Sequence, residues 1–251
     1  MINIEIVYKQ YSKKIYNLAY RMTGDKDDAN DITQETFIQG FKSLDKFRGE
    51  SQIYTWLFKI AKNKCLRFLE KKNKTTFLSL QELIDNKSSP VSDEISETEK
   101  MNYISQVKDG CLSALLRCLS LQQRLAFILN VILDLPMEQV ASIIDKSENA
   151  TRILVHRSKQ SIKDFLCNNC SLYDSKNTCR CENMLNFSLK RGWISLNNPA
   201  RIESEIKDLK DVVSVYKTLH ETSPTNEFHK QVQRLLTDKV DFLILSEKKV
   251  K

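Results

Sequence analysis

Four cysteines crowd into fifteen residues: Cys167, Cys170, Cys179 and Cys181, in the pattern C-x2-C-x8-C-x-C. Zinc in a structural site takes four soft or borderline ligands in a tetrahedron, and thiolates at short spacing let one loop supply them. The spacing differs from the commonest zinc-finger pattern. A redox-active thiol group and a merely incidental cluster therefore stand beside the metal reading. A second constellation lies near the N-terminus. Gln52, Trp56, Lys59, Asn63 and Arg67 fall at i, i+4, i+7, i+11 and i+15, one stripe of a helix. Its chemistry suits single-stranded or opening nucleic acid: cations meet phosphates, an amide pairs with a base edge, and an aromatic stacks on a freed base. The bland alternative is a core Trp56 beside a solvated basic face.

Charge is segregated around that stripe. Residues 25–35 hold five acids and one Lys, and residues 59–74 hold seven Lys or Arg against one Glu. The two stretches want opposite partners. The overall balance, +7 with a pI near 8.9, adds only a moderate bias toward polyanions. Catalytic signatures are missing from the sequence. No Gly-rich phosphate loop and no Ser/His/Asp arrangement occurs, and the three His are far apart. The expectation is a non-enzyme that joins a protein partner to nucleic acid.

The elements that must position these groups are helices. Only 5 Gly and 4 Pro punctuate 251 residues, while Leu, Ile, Lys, Glu and Gln favour helix. Val7, Tyr11, Ile15, Leu18 and Met22 form an apolar stripe over 4–22. Gly24 is a natural stop and Asp25 a natural cap for a second helix over about 26–45, with Phe37, Phe41 and Leu44 on one face. Residues 47–51, FRGES, break it. A third helix over about 52–72 buries Ile53, Leu57, Ile60, Ala61, Cys65 and Phe68. Three matching apolar faces predict a compact bundle at 1–72. The polar, acidic stretch 73–101 reads as a flexible linker. A second helical domain follows over 102–166, then the cysteine cluster at 167–181 and a helical, patchily amphipathic extension over 182–251. The fold class is all-α: two small helical domains, a linker and a helical extension.

No apolar run approaches the roughly 20 residues needed to cross a bilayer. MINIEIVYKQ lacks the basic start and apolar core of a signal peptide. A cytoplasmic location and reduced or metal-bound cysteines are expected. Cys65, Cys111 and Cys118 sit at apolar helical positions and read as small core residues. His220 and His229 are candidate extra ligands, although lone histidines more often lie on surfaces.

The segment TGDKDDANDITQETFIQGFKSL, followed by FRGESQIYTWLFKIAKNKCLRFLEKK, resembles region two of bacterial sigma factors, most closely the extracytoplasmic-function (ECF) group. The resemblance covers residues 8–72. It implies an acidic helix that docks on the β′ clamp helices of RNA polymerase through Asp31, Gln34, Glu35 and Phe37. It also implies a following loop and helix that melt and read the minus-ten element through Ser51, Gln52, Tyr54, Trp56, Lys59, Asn63 and Arg67. Residues LSLQQRLAFILNVILDLPMEQVASIIDKSENATRILVHRSKQSIKDFL resemble region four, a helix-turn-helix. Helix 137–144 would turn Val140, Ala141 and Ile144 inward. Asp145-Lys146-Ser147 would form the turn, with Ser147 as N-cap, and a helix over about 148–165 would enter the major groove. By position, Asn149, Arg152, His156 and Arg157 are the candidates for base or phosphate contact.

This chain departs from that family at Asp145 (usually Gly), Lys146 (usually apolar) and Thr151 (usually Val), and it carries Ile153 and Leu154 where polar or basic residues are common. The implied partners are core RNA polymerase, through β′ and β, promoter DNA, and an anti-sigma factor. A subset of the group carries a similar Cys-rich tail, which favours zinc, structural or regulatory, as the implied cofactor.

Overall fold

The computed structural model describes residues 4–47, 49, 51–71, 97–185, 188 and 216. All its regular elements are helices, and the described residues contain no strand beyond an isolated Cys170–Cys179 bridge. The chain divides into two compact units, one of Met1–Lys72 with Ser142–Asp145 and Glu221–Lys251, the other of Asn73–Ala141 and Lys146–His220.

The first unit is a three-helix bundle: α1 (Ile4–Thr23), α2 (Lys26–Lys42) and α3 (Ile53–Lys71). Gly24 adopts φ +77° and ends α1, its N–H donating to the Tyr20 carbonyl. Asp25 then caps α2, its carboxylate accepting from the N–H groups of Asp27 and Asp28 at 2.9 and 3.0 Å. A single 3-10 turn, Leu44–Lys46, follows α2 before the break. The expected stripe supplies the core: Val7, Ile15, Leu18 and Met22 are buried with Leu57, Ile60, Ala61 and Cys65 of α3.

Gly40 lets α2 and α3 approach closely, since a Cβ there would lie 2.7 Å from Leu57 Cδ2. Gly40→Val should overpack this crossing and cost about 1–3 kcal/mol. A melting midpoint equal to that of the parent would show the crossing to be looser than drawn.

The second unit begins with α4 (Glu97–Cys118), five residues inside the stretch expected as linker. Glu-Thr-Glu-Lys at its start are compatible with helix, so composition alone misplaced the boundary. The short α5 (Leu121–Phe127) opens on a full capping box between Ser120 and Gln123 and runs on into a π-helical segment, Ile128–Ile132. Next come α6 (Met137–Ile144) and the long α7 (Glu148–Asn169). The 3-10 turn Cys181–Met184 packs back on α4, where Leu185 joins Tyr103 and Val107 in a small buried cluster.

Tyr216 of the extension is buried, its hydroxyl donating to the Leu112 carbonyl at 2.9 Å and its ring meeting Phe127 edge-on. Most of the expected linker and extension, including Trp193, His220 and His229, lies outside the described residues. Among the described residues no helix is long and apolar enough to cross a membrane.

Candidate nucleic-acid and protein interfaces

On α2 the acids face solvent. Asp31 and Glu35 are exposed and Gln34 is half-buried. Glu35 accepts a charge-assisted hydrogen bond from Lys64 Nζ at 2.7 Å, which ties the edge of this face to α3. Sequence reasoning did not single out Lys64. Phe37 is corrected: it is 1% exposed, held edge-on against Tyr8 at 4.9 Å and tilted against Phe41. Its side chain belongs to the core and is not available for docking. It falls on the face of α2 that also buries Ile32, Thr33 and Thr36.

The stripe on α3 is coherent. At about 100° per residue, Trp56, Lys59, Asn63 and Arg67 span roughly 80° of the helix. Gln52, Asn63 and Arg67 are exposed, while Ser51, Tyr54, Trp56 and Lys59 are half-buried. Trp56 is therefore neither core nor free. One side of its ring leans on Phe47 at 5.4 Å, which fixes its orientation and leaves part of it open. Tyr54 lies 5.8 Å from Tyr11, so its ring is part of the bundle's aromatic edge.

The second unit holds a helix-turn-helix. Val140, Ala141 and Ile144 are buried as expected, and the small Ala141 accepts from Lys146 N–H at the end of α6. Asp145 takes φ +57°, the left-handed conformation that explains why glycine suits this position; Asp tolerates it better than most residues. Ser147 caps α7 by accepting from Ala150 N–H at 3.2 Å. Thr151 is fully buried where Val would fit, and its extra hydroxyl is satisfied by donating to the Ser147 carbonyl at 2.9 Å.

Asn149, Arg152, His156 and Arg157 are all exposed, and Arg152 pairs with Glu148 at 3.1 Å. They lie across α7 from its buried residues Thr151, Val155, Ser158, Ile162 and Leu166. Ile153 sits among the exposed set at 45% exposure, an apolar group on an otherwise polar face. Ser158 Oγ donates to the Gln123 carbonyl, so α5 fixes the azimuth of α7.

The cysteine segment is a closed knuckle. Cys170 caps α7. The N–H of Ser171 donates to the Cys179 carbonyl and the N–H of Cys179 to the Asn169 carbonyl. Asn177 Nδ2 donates to the carbonyls of Cys167 and Cys170 at 2.9 and 3.0 Å. Burial pushes the Cys181 thiol up to about 12, with Cys170 and Cys179 adding to the effect. Cys111, expected as a small core residue, is half-buried on α4, and its thiol is raised by burial and then by Cys181, Cys179, Cys170 and Cys118. Cys118 is corrected: it is exposed, with its Sγ against the Ala114 carbonyl. Among the described residues no group of three or more Cys, His, Asp or Glu side chains is placed so that it could hold a metal ion.

An acidic helix and a cation-bearing helix share one bundle, and a helix-turn-helix follows later in the chain. Residues 7–75 match the family model for sigma-70 region 2, and residues 109–162 that for sigma-70 region 4. The chain is similar to RNA polymerase sigma factors of the ECF group. It is 29% identical over 163 residues to the ECF RNA polymerase sigma factor SigE of Mycolicibacterium smegmatis, covering 65% of this chain and 61% of SigE. It is 27% identical over 161 residues to the RNA polymerase sigma factor YlaC of Bacillus subtilis, covering 64% of this chain and 90% of YlaC. The match thus spans less than two thirds of the first relative. A solved sigma factor RpoE, in complex with the anti-sigma factor NepR from Bartonella quintana, aligns with TM-score 0.46 at 19% identity over 64% of this chain and 95% of RpoE. Neither family model reaches the cysteine segment.

Proposed function

We propose that this protein is a promoter-specificity factor that binds core RNA polymerase, recognises promoter DNA and helps open it, performing no covalent chemistry of its own. The observation that carries this is the first unit: exposed Asp31 and Glu35 on α2, and on α3 of the same bundle one stripe with Asn63 and Arg67 exposed and Trp56 and Lys59 half-buried. Acids on an open face prefer a basic partner and steer its approach. In this scheme Asp31, Gln34 and Glu35 dock on polymerase, and Ser51, Gln52, Tyr54, Trp56, Lys59, Asn63 and Arg67 meet the minus-ten DNA. Asn149, Arg152, His156 and Arg157 contact the upstream element from the major groove, and Ile153 offers a contact to a thymine methyl. The protein then works where polymerase does, in the cytoplasm, and an anti-sigma factor is a partner of the same surfaces. Two modest DNA affinities add through effective concentration.

Run-off transcription with core polymerase and a random promoter pool tests the proposal. Enrichment of a discrete promoter class that depends on Arg67, and falls at least tenfold with Arg67→Ala, is the expected result. Tight duplex binding without polymerase, and no transcription with it, would instead mark a regulator that acts alone.

The cysteine segment is proposed to hold one zinc ion. The support is the close spacing of Cys167, Cys170, Cys179 and Cys181 in a hydrogen-bonded turn at the end of α7. Cys179→Ser combined with Cys181→Ser should remove bound zinc, read by elemental analysis of the purified full chain. A parent protein without zinc above background removes this part of the proposal.

A further inference from the structure

Tyr216 stands far along the extension, yet it is 1% exposed in the second unit. Burying a tyrosine that deeply takes a slot for the ring and a partner for the hydroxyl. Both are present. The ring meets buried Phe127 edge-on at 4.9 Å, and the hydroxyl donates to the carbonyl of buried Leu112 on α4 at 2.9 Å, 104 residues back along the chain. The place of Phe127 gives this contact its meaning. Phe127 ends α5, and the π-helical turn Ile128–Ile132 begins at the next residue. Such wide turns are rare and gather at functional sites. One turn before Phe127 on the same helix, the Gln123 carbonyl accepts from Ser158 Oγ of α7 at 3.1 Å. α5 is only seven residues long. A helix that short has little stability of its own, so its packing partners fix its position. One end of α5 therefore meets the extension, and the other meets the helix that carries Arg152, His156 and Arg157.

We infer that the slot at Leu112 and Phe127 is a docking site for the chain's own extension, with Tyr216 as its anchor, and that this anchor is a positioning residue for α7. The slot suits an aromatic ring with a hydrogen-bond donor at its tip. A phenyl ring would fill it and leave the Leu112 carbonyl without this donor; an alanine would leave it empty. The consequence for DNA rests on the proposed reading of α7 as the helix that contacts the upstream element. On that reading the extension is an in-chain effector. Whatever draws it out of the slot loosens α5, and with it the hold on Ser158, so upstream reading weakens while polymerase docking through the first bundle is untouched.

The test is amide hydrogen exchange of the full-length chain, joined to footprinting of the upstream element in its complex with core polymerase. Tyr216→Ala should speed exchange in α5 and α7 by at least ~10-fold, leave α1 to α3 as in the parent, and weaken the upstream footprint to a similar degree. Tyr216→Phe keeps the ring and loses one hydrogen bond, so its effect should be smaller, about 2- to 10-fold. A synthetic peptide of residues 209–220, added to the Tyr216→Ala chain, should restore both readouts; the same peptide carrying Tyr216→Ala should restore neither. That rescue separates an anchor in a slot from a residue that the unit merely needs in order to fold. Unchanged exchange in Tyr216→Ala overturns the proposal, and so does a loss that the peptide does not reverse. Protection that appears only as the chain dimerises would put another copy's tyrosine in the slot and overturn the in-chain anchor. A parent that gives no upstream footprint would count against the reading of α7, while the exchange measurement, which needs no DNA, still decides the anchor.

Discussion

Reversing two charges, Asp31→Lys with Glu35→Lys, should weaken binding to core polymerase by about 10- to 100-fold, equivalent to about 1.4–2.8 kcal/mol. Both side chains are exposed, so the loss should come from the partner surface rather than from folding. The one internal cost is at position 35, where reversal replaces the Lys64 ion pair with a repulsion. On an exposed pair that term is small. The loss should appear mainly in the association rate and shrink as salt rises, because rim charges steer encounter and are screened within about 8–10 Å at ordinary ionic strength. Glu35→Gln alone separates the two effects: it removes the pair without reversing the charge and should cost only a few-fold. Binding measured by fluorescence anisotropy at two salt concentrations, with melting curves of each variant, decides the matter. Unchanged affinity in a folded double variant would remove α2 as the docking face.

What the sequence disclosed and what it hid divide along a physical line. Local, self-contained signals were legible. The Gly24 stop, the Asp25 and Ser147 caps and the span of α6 each depend on a few adjacent residues and on backbone rules that hold in any context. The α3 stripe was legible for the same reason, since helical periodicity alone puts Lys59, Asn63 and Arg67 on one side. Burial within a face was harder. Periodicity set Phe37 with Phe41 and Leu44 on an apolar face while the family resemblance implied docking, and Tyr8 of α1 against its ring decides for the core. Cys118 looked apolar and is exposed because α4 ends there. The run Leu125 to Leu135 is apolar apart from Asn130 and Asp134, so no periodicity could announce that its middle winds as a π-helix, with Leu133 N–H reaching the Ile128 carbonyl.

Arg124 is the residue whose loss should hurt the second unit most. A charged side chain ordinarily reads as surface, yet Arg124 is 1% exposed. Its position explains why it is tolerated. α4 ends at Cys118, and a helix end leaves its last carbonyls without intrahelical partners. The Arg124 guanidinium turns back from α5 to cover them: Nε donates to the Leu116 carbonyl at 3.1 Å, and Nη2 to those of Arg117 and Leu119 at 2.5 and 3.4 Å. Burial, and then the nearby Arg117 charge, lower its pKa to about 10, so it stays charged at neutral pH and its donors remain available.

Arg124→Ala would take the guanidinium from the Arg117 and Leu119 carbonyls and open a cavity where the side chain is now 1% exposed. The expected cost is about 3–5 kcal/mol, a large share of the roughly 5–15 kcal/mol that holds a domain together. At roughly 4–8 °C per kcal/mol for a unit of this size, the midpoint should fall by more than about 12 °C. Arg124→Lys should fall in between, because an ammonium reaches one or two of the carbonyls but lacks the planar fork. Arg124→Met should recover most of the volume and little of the stability. α7 is held in place by α5 through Ser158 and Gln123, so upstream-element binding should be lost together with the fold, while polymerase docking through the first bundle survives. An Arg124→Ala protein that melts within about 2 °C of the parent would mean that water satisfies those carbonyls as well as the guanidinium does, and that the turn between α4 and α5 is not what organises this unit.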